Sequence, residues 1–178
     1  MANVFSDSEK HFPQSEFADV LEANSVYAES FQDQHLTGSA AKGLAVVTCM
    51  DSRIDPLGVL GMRAGDVKIV RNAGARVTSD VLRTLTLAHY LLNVSRILVM
   101  PHTSCKMASA TDEQIWDLIY EDFGVDTRSL NFHTVQDQMG ALALDVQKIR
   151  SAPLLPKDIT VGGALYDVAT GRINPVEV

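Results

Sequence analysis

A chain of 178 residues, 46% of them hydrophobic, fits one domain and can bury roughly two thirds of its unfolded surface. With 15 basic against 22 acidic residues the net charge is −7, which opposes non-specific attraction to nucleic acid or to an anionic membrane and favours small neutral or weakly charged ligands. The N-terminal stretch has neither the basic nor the apolar region of a secretion signal, and no apolar run approaches the roughly twenty residues that cross a bilayer, so the chain reads as soluble and cytoplasmic.

Leu44-Ala45-Val46-Val47-Thr48-Cys49 is a nearly continuous apolar run, the pattern of a parallel strand covered on both faces, with Cys49 at its C-terminal end. Asp55-Pro56 supplies a cap and a first-turn proline for a short helix reaching about Arg63 and closed by Gly65. Residues 66–70 form a second strand, followed by a turn, Arg71-Asn72-Ala73-Gly74-Ala75, in which Gly74 permits positive φ or close approach to a ligand. Thr78 or Ser79 caps the next helix, whose Val81, Leu82, Leu85, Ala88, Leu91 and Leu92 recur at three and four residues and so face the core. Residues 97–100 make a third strand, with His102 two residues past its end. Residues 112–123 read as a helix with Ile115, Leu118 and Ile119 inward and Gly124 terminating it, and residues 134–149 as another. Residues 159–166 form a fourth strand, after which Thr170-Gly171 turns the chain into a final extended piece ending near Val178.

The expected fold class is therefore α/β: a mainly parallel central sheet of about four strands with flanking helices, plus a C-terminal extended edge strand. Right-handed crossovers in such a sheet gather ligands beyond the carboxyl ends of the strands, where Cys49, Gly74 and His102 all fall.

The chain has only two cysteines, and both stand beside other donors: Cys49-Met50-Asp51-Ser52-Arg53 and His102-Thr103-Ser104-Cys105. Zinc takes thiolate, imidazole and carboxylate in a tetrahedron, so Cys49, His102 and Cys105 fill three positions and either Asp51 or a water the fourth. With water in the fourth place, Asp51 accepts a hydrogen bond from a zinc-bound hydroxide while Arg53 keeps the carboxylate ionised through a bidentate pair. With Asp51 as ligand the site is closed. The plain alternative is a core Cys49, a surface Cys105 and a loop-capping His102. His11, His35, His89 and His133 have no partner at ligand spacing and read as structural or surface residues, and Trp116 and Tyr120 read as packing.

Cys49-x-Asp51-Ser52-Arg53, Arg71-Asn72-Ala73-Gly74, His102-x-x-Cys105 and Tyr166-Asp167-x-x-Thr170-Gly171 together resemble the β-class carbonic anhydrases, over roughly residues 44 to 175. The short length and an N-terminal helix at about residues 17–31 resemble the small prokaryotic branch. The resemblance implies one domain over residues 1–178, with an N-terminal arm at 1–40 and a catalytic core at 41–178. It implies one Zn2+ per chain on Cys49, His102 and Cys105, an Asp51–Arg53 dyad, and Gly74 near the substrate. The implied reaction is reversible hydration of CO2 to bicarbonate and a proton, by attack of zinc-bound hydroxide. The implied partner is a second copy, as a homodimer with a tetramer as the larger alternative, and the helix embracing the neighbouring subunit; no nucleic acid and no membrane enter. Relatives with the same ligands hydrolyse carbonyl sulfide or carbon disulfide, which leaves that chemistry as the rival, beside a non-catalytic protein with a closed zinc site. One departure stands out: Lys106 follows the second cysteine where the family commonly has glycine, and Ser104 precedes it where an acid or glycine is frequent.

Overall fold

A computed structural model describes residues 12–178, which fall into two compact units, the first reaching to Leu36 and the second spanning Thr37–Val178. In the first unit, α1 (Ala18–Glu29) lies within the expected helix and buries none of its residues. Its ring pairs are local, Phe12 with Phe17 at 5.3 Å and Tyr27 with Phe31 at 5.6 Å between centroids.

The second unit is built on a five-stranded sheet: β1 (Leu44–Cys49), β2 (Val67–Asn72), β3 (Arg96–Met100), β4 (Thr160–Asp167) and β5 (Arg172–Val176), in the order β2-β1-β3-β4-β5. The first four run parallel, and β5 returns antiparallel to β4. The turn between them needs Gly171, whose φ of 72° lies in the left-handed region that a side chain disfavours. All six residues of β1 are buried, as its uninterrupted apolar run requires of a strand with neighbours on both edges and cover on both faces. Successive side chains feed opposite layers. Ala45 and Val47 pack with Leu85, Leu142, Val146 and Ile149, while Leu44 and Val46 pack with Ile54, Met100, Tyr166 and both cysteines. Full burial of Val46 and Val47 stabilises the fold by about 1.5–3 kcal/mol each.

The helices are α2 (Pro56–Leu60), α3 (Ser79–Leu91), α4 (Asp112–Phe123) and α5 (Gln138–Arg150). Thr78 is the cap of α3, its hydroxyl accepting from the Val81 N–H, and Thr111 with Gln114 forms a capping box on α4, an arrangement generally worth about 1 kcal/mol. Several sequence expectations change. The α2 helix stops at Gly61, φ 62°, short of Arg63 and Gly65, and Asp55 makes no side-chain capping bond. Leu91 and Leu118 are 71% and 51% exposed, because each lies near the margin of its helix's apolar stripe rather than under it. The α5 helix starts four residues later than expected, since the Asp112 carboxylate takes the N–H groups of Phe132 and Thr134 and holds that segment as a loop until Asp137 caps the helix. Among the described residues no helix is long and apolar enough to cross a membrane.

Candidate metal centre

Three residues from two distant segments of the chain converge on the C-terminal rim of the sheet. Cys49 ends β1, His102 follows β3 and pairs with Tyr166 of β4 through an isolated bridge, and Cys105 immediately precedes a short 3-10 turn, Lys106–Ala108. Ser104 has φ 56°, so the chain reverses between His102 and Cys105 and both side chains turn towards Cys49. Their donor atoms lie within 4.8 Å of one another, with the two sulfurs 4.0 Å apart. Two thiolates on a tetrahedral zinc with bonds of about 2.3 Å sit about 3.8 Å apart, which this spacing nearly matches. All three residues are buried, so Cys105 is not the surface thiol of the plain alternative.

The imidazole is oriented as a ligand. Its Nδ1–H donates to the Thr103 carbonyl at 2.9 Å, which leaves Nε2 with a lone pair. Nε2 is buried without a hydrogen-bond partner, an arrangement that costs free energy unless another group takes that lone pair. A soft cation between one imidazole and two sulfurs satisfies that atom, so the residues present fit zinc.

The thiols are electrostatically unequal. Cys49 is pulled well below the usual thiol value, first by its hydrogen bond with the Cys105 sulfur and further by the Gly74 N–H donating at 3.3 Å. Cys105 is pushed up, because the hydrogen it shares with Cys49 favours its protonated form and burial disfavours its charge. The pair thus holds one anion readily, and a second only with a cation beside it.

Asp51 and Arg53 form a closed ion pair at the mouth. The guanidinium donates from Nε to Oδ1 at 2.9 Å and from Nη2 to Oδ2 at 2.7 Å, and the Arg53 N–H adds a third bond to Oδ1. Arg53 Nη2 also reaches the Ser104 carbonyl at 3.1 Å, tying the two halves of the site together. These bonds hold the Asp51 carboxyl well below the usual carboxylate range. Its Oδ2 lies 3.7 Å from His102 Nε2, near the donor trio but bound to arginine.

Two supporting residues escape a reading by ligand spacing. Arg71 enters the sequence reading as a turn residue and as part of the Arg-Asn-Ala-Gly run of the resemblance, with no role of its own, yet its guanidinium donates to the Cys49 carbonyl at 2.8 Å and the Asp51 carbonyl at 2.6 Å, fixing the loop that carries both. Gln138, at the start of α5, donates to the His102 carbonyl at 2.9 Å. Neither belongs to a residue type that signals metal ligation, and the only hint was the Arg-Asn-Ala-Gly run itself. Gly74, singled out for positive φ, has φ 80° and lines a cavity of about 10 Å³ with Cys105, Met107, Val135 and Gln138.

Fold and site together define an α/β protein with a Cys2His metal-binding group on the rim of a mostly parallel sheet. A family model described as "Carbonic anhydrase" matches residues 44–119. The chain is 32% identical to Beta-carbonic anhydrase 1 of Mycobacterium tuberculosis, covering 89% of this chain and 96% of that protein. It is 31% identical to a carbon disulfide hydrolase of Acidithiobacillus thiooxidans, over 74% of this chain and 76% of the other. A crystal structure of a carbonic anhydrase from Streptococcus mutans superposes with a TM-score of 0.85 at 36% identity, covering 90% of this chain and 97% of that one. The chain belongs to the β-carbonic anhydrase family and is an enzyme of that family.

Proposed function

We propose that this enzyme catalyses the reversible hydration of carbon dioxide to bicarbonate and a proton, with one zinc ion per chain held by Cys49, His102 and Cys105. The observation that carries this reading is the buried, unpartnered Nε2 of His102 facing two thiols, beside an aspartate that Arg53 keeps ionised. Zinc in such a site supplies Lewis acidity, bringing the ionisation of water towards neutral pH. The chain's own residues do the rest. The Asp51 carboxylate would accept a hydrogen bond from the nucleophilic oxygen and orient it towards the carbon of CO2, and Arg53 holds that carboxylate ionised in a bidentate pair. Arg71 keeps the Cys49–Asp51 segment rigid, so ligand and orienting group move together. Gly74 lies beside the place proposed for the substrate, and its N–H, donated to Cys49 Sγ at 3.3 Å, fixes the edge of the site there. Release of Asp51 from Arg53 would free it to serve as a fourth ligand and close the site, which the 3.7 Å separation from His102 Nε2 supports as a short step.

Kinship with a carbon disulfide hydrolase supports a second reading, hydrolysis of carbonyl sulfide or carbon disulfide at the same residues. Comparison of CO2 hydration with sulfide release on one zinc-loaded preparation separates the two. Faster hydration is expected, and sulfide release exceeding it would overturn the assignment. The assembly proposed is a homodimer, with a tetramer as the larger alternative; the exposed Val20, Val26 and Tyr27 of α1 support an apolar contact between copies. A cytoplasmic location is proposed from two cysteines arranged for metal rather than for a disulfide.

A further inference from the structure

Helix α5 carries a charged residue where its own periodicity calls for an apolar one. Leu142, Asp145, Val146 and Ile149 are its buried residues, and Asp145, only 2% exposed, sits among the aliphatic side chains of the core. Aspartate is a weak helix former and is almost never buried unless paired, so its presence there breaks a local rule that a leucine would satisfy.

Its partners lead to the metal centre. Arg76 donates to Asp145 from Nε at 2.7 Å and from Nη2 at 3.4 Å, and Lys148, one turn on, adds Nζ at 2.7 Å. The Arg76 guanidinium also donates to the His133 carbonyl at 3.1 Å, and the Val135 N–H two residues on donates to the Met107 carbonyl at 2.8 Å, two residues after Cys105. The Arg76 backbone is clamped as well, its N–H and carbonyl both bound to the Asn72 side chain at 2.8 and 2.7 Å. Between these anchors lie Gly74 and Ala75, at φ 80° and 59°. Alanine in that region is strained and persists only where its surroundings hold it. The strained turn aims the Gly74 N–H at Cys49 Sγ.

We propose that Asp145 is a positioning residue of the metal centre: through Arg76 it holds the Gly74–Ala75 turn that donates a hydrogen bond to Cys49. The same helix grips the His102 carbonyl through Gln138, seven residues earlier and so on the same face. Helix α5 is then the outer support of two of the three metal-binding residues while contributing none itself. A hydrogen bond to a ligand sulfur withdraws charge from it, so losing this bond alters both affinity for the metal and the electronic character of the sulfur–metal bond.

The inference rests on the proposed metal site, and cobalt(II) serves as its spectroscopic probe. The full chain, Asp145→Asn, and the double variant Arg76→Met with Asp145→Leu are each loaded with cobalt for sulfur-to-cobalt charge-transfer spectra, and with zinc for chelator competition. Replacing the buried ion pair by apolar residues restores packing, so the double variant regains the Tm that Asp145→Asn loses. Both variants are expected to bind one metal per chain at saturation, with zinc affinity about tenfold weaker and a shifted charge-transfer band. A double variant with the unchanged protein's affinity and spectrum would overturn the inference, leaving Asp145 a purely structural ion; it decides the matter even if Asp145→Asn fails to fold. Absence of metal uptake by the unchanged chain would instead overturn the proposed function together with this inference.

Discussion

Replacing Gly74 by alanine tests the link between backbone and site quantitatively. At φ 80° a side chain introduces strain of about 1–2 kcal/mol, and a Cβ there would lie 3.2 Å from Met107 Cβ. Met107 Cβ is fixed to the backbone and cannot swing aside, so the Lys106–Ala108 turn must shift, an overpacking cost of about 1–3 kcal/mol. The sum is about 2–5 kcal/mol. Gly61 is an internal control, because it has φ 62° with nothing within 4 Å of its would-be Cβ and so should cost only the strain. Urea unfolding of Gly74→Ala and Gly61→Ala, with free zinc buffered at one value because native-state binding adds to apparent stability, gives both costs on one scale. A Gly74→Ala penalty no larger than that of Gly61→Ala would refute the close packing of this turn on the segment after Cys105.

Cys49→Ser should lose zinc, checked by metal analysis after gel filtration; one retained zinc per chain would refute the ligand assignment. Asp51→Asn should keep its zinc and lower CO2 hydration by about a hundredfold or more, since an amide cannot orient the nucleophile as a carboxylate does. The Asp51 carboxyl is depressed from its ordinary value of 3.8 by Arg53, so the ion pair is intact above that value and lost only as pH falls through the depressed one. A carbon-13 titration of the Asp51 side chain should therefore show no inflection at or above the ordinary carboxylate value, and one near neutrality would contradict the pairing.

Much of the fold could be read from the chain because its strands are short apolar runs bounded by glycine, proline and caps, and β1, buried at every position, is the plainest of them. The boundaries that shifted did so through contacts between distant residues: the loop before α5 exists because Asp112 satisfies its backbone, which no periodicity reveals. Leu91 and Leu118 show the limit of helical stripes, where a residue at the margin is apolar in pattern and exposed in fact. At the site, the cysteines and His102 were conspicuous because thiols are scarce and imidazole has few other partners at that spacing. The residues that hold them were not. Arg71 acts on backbone carbonyls, Gln138 on another, and Asp145 through a second side chain, and each contact spans at least one strand or helix. Side-chain chemistry marks ligands, whereas support is a property of three-dimensional neighbours.

Stopped-flow CO2 hydration followed from acid to alkaline pH, with zinc measured on the same sample, addresses the central claim most directly. One zinc per chain and hydration that rises with pH, both lost in Cys49→Ser, are the expected result. Full zinc occupancy with no hydration at any pH would contradict it and leave Asp51 as the fourth ligand of a closed, structural site.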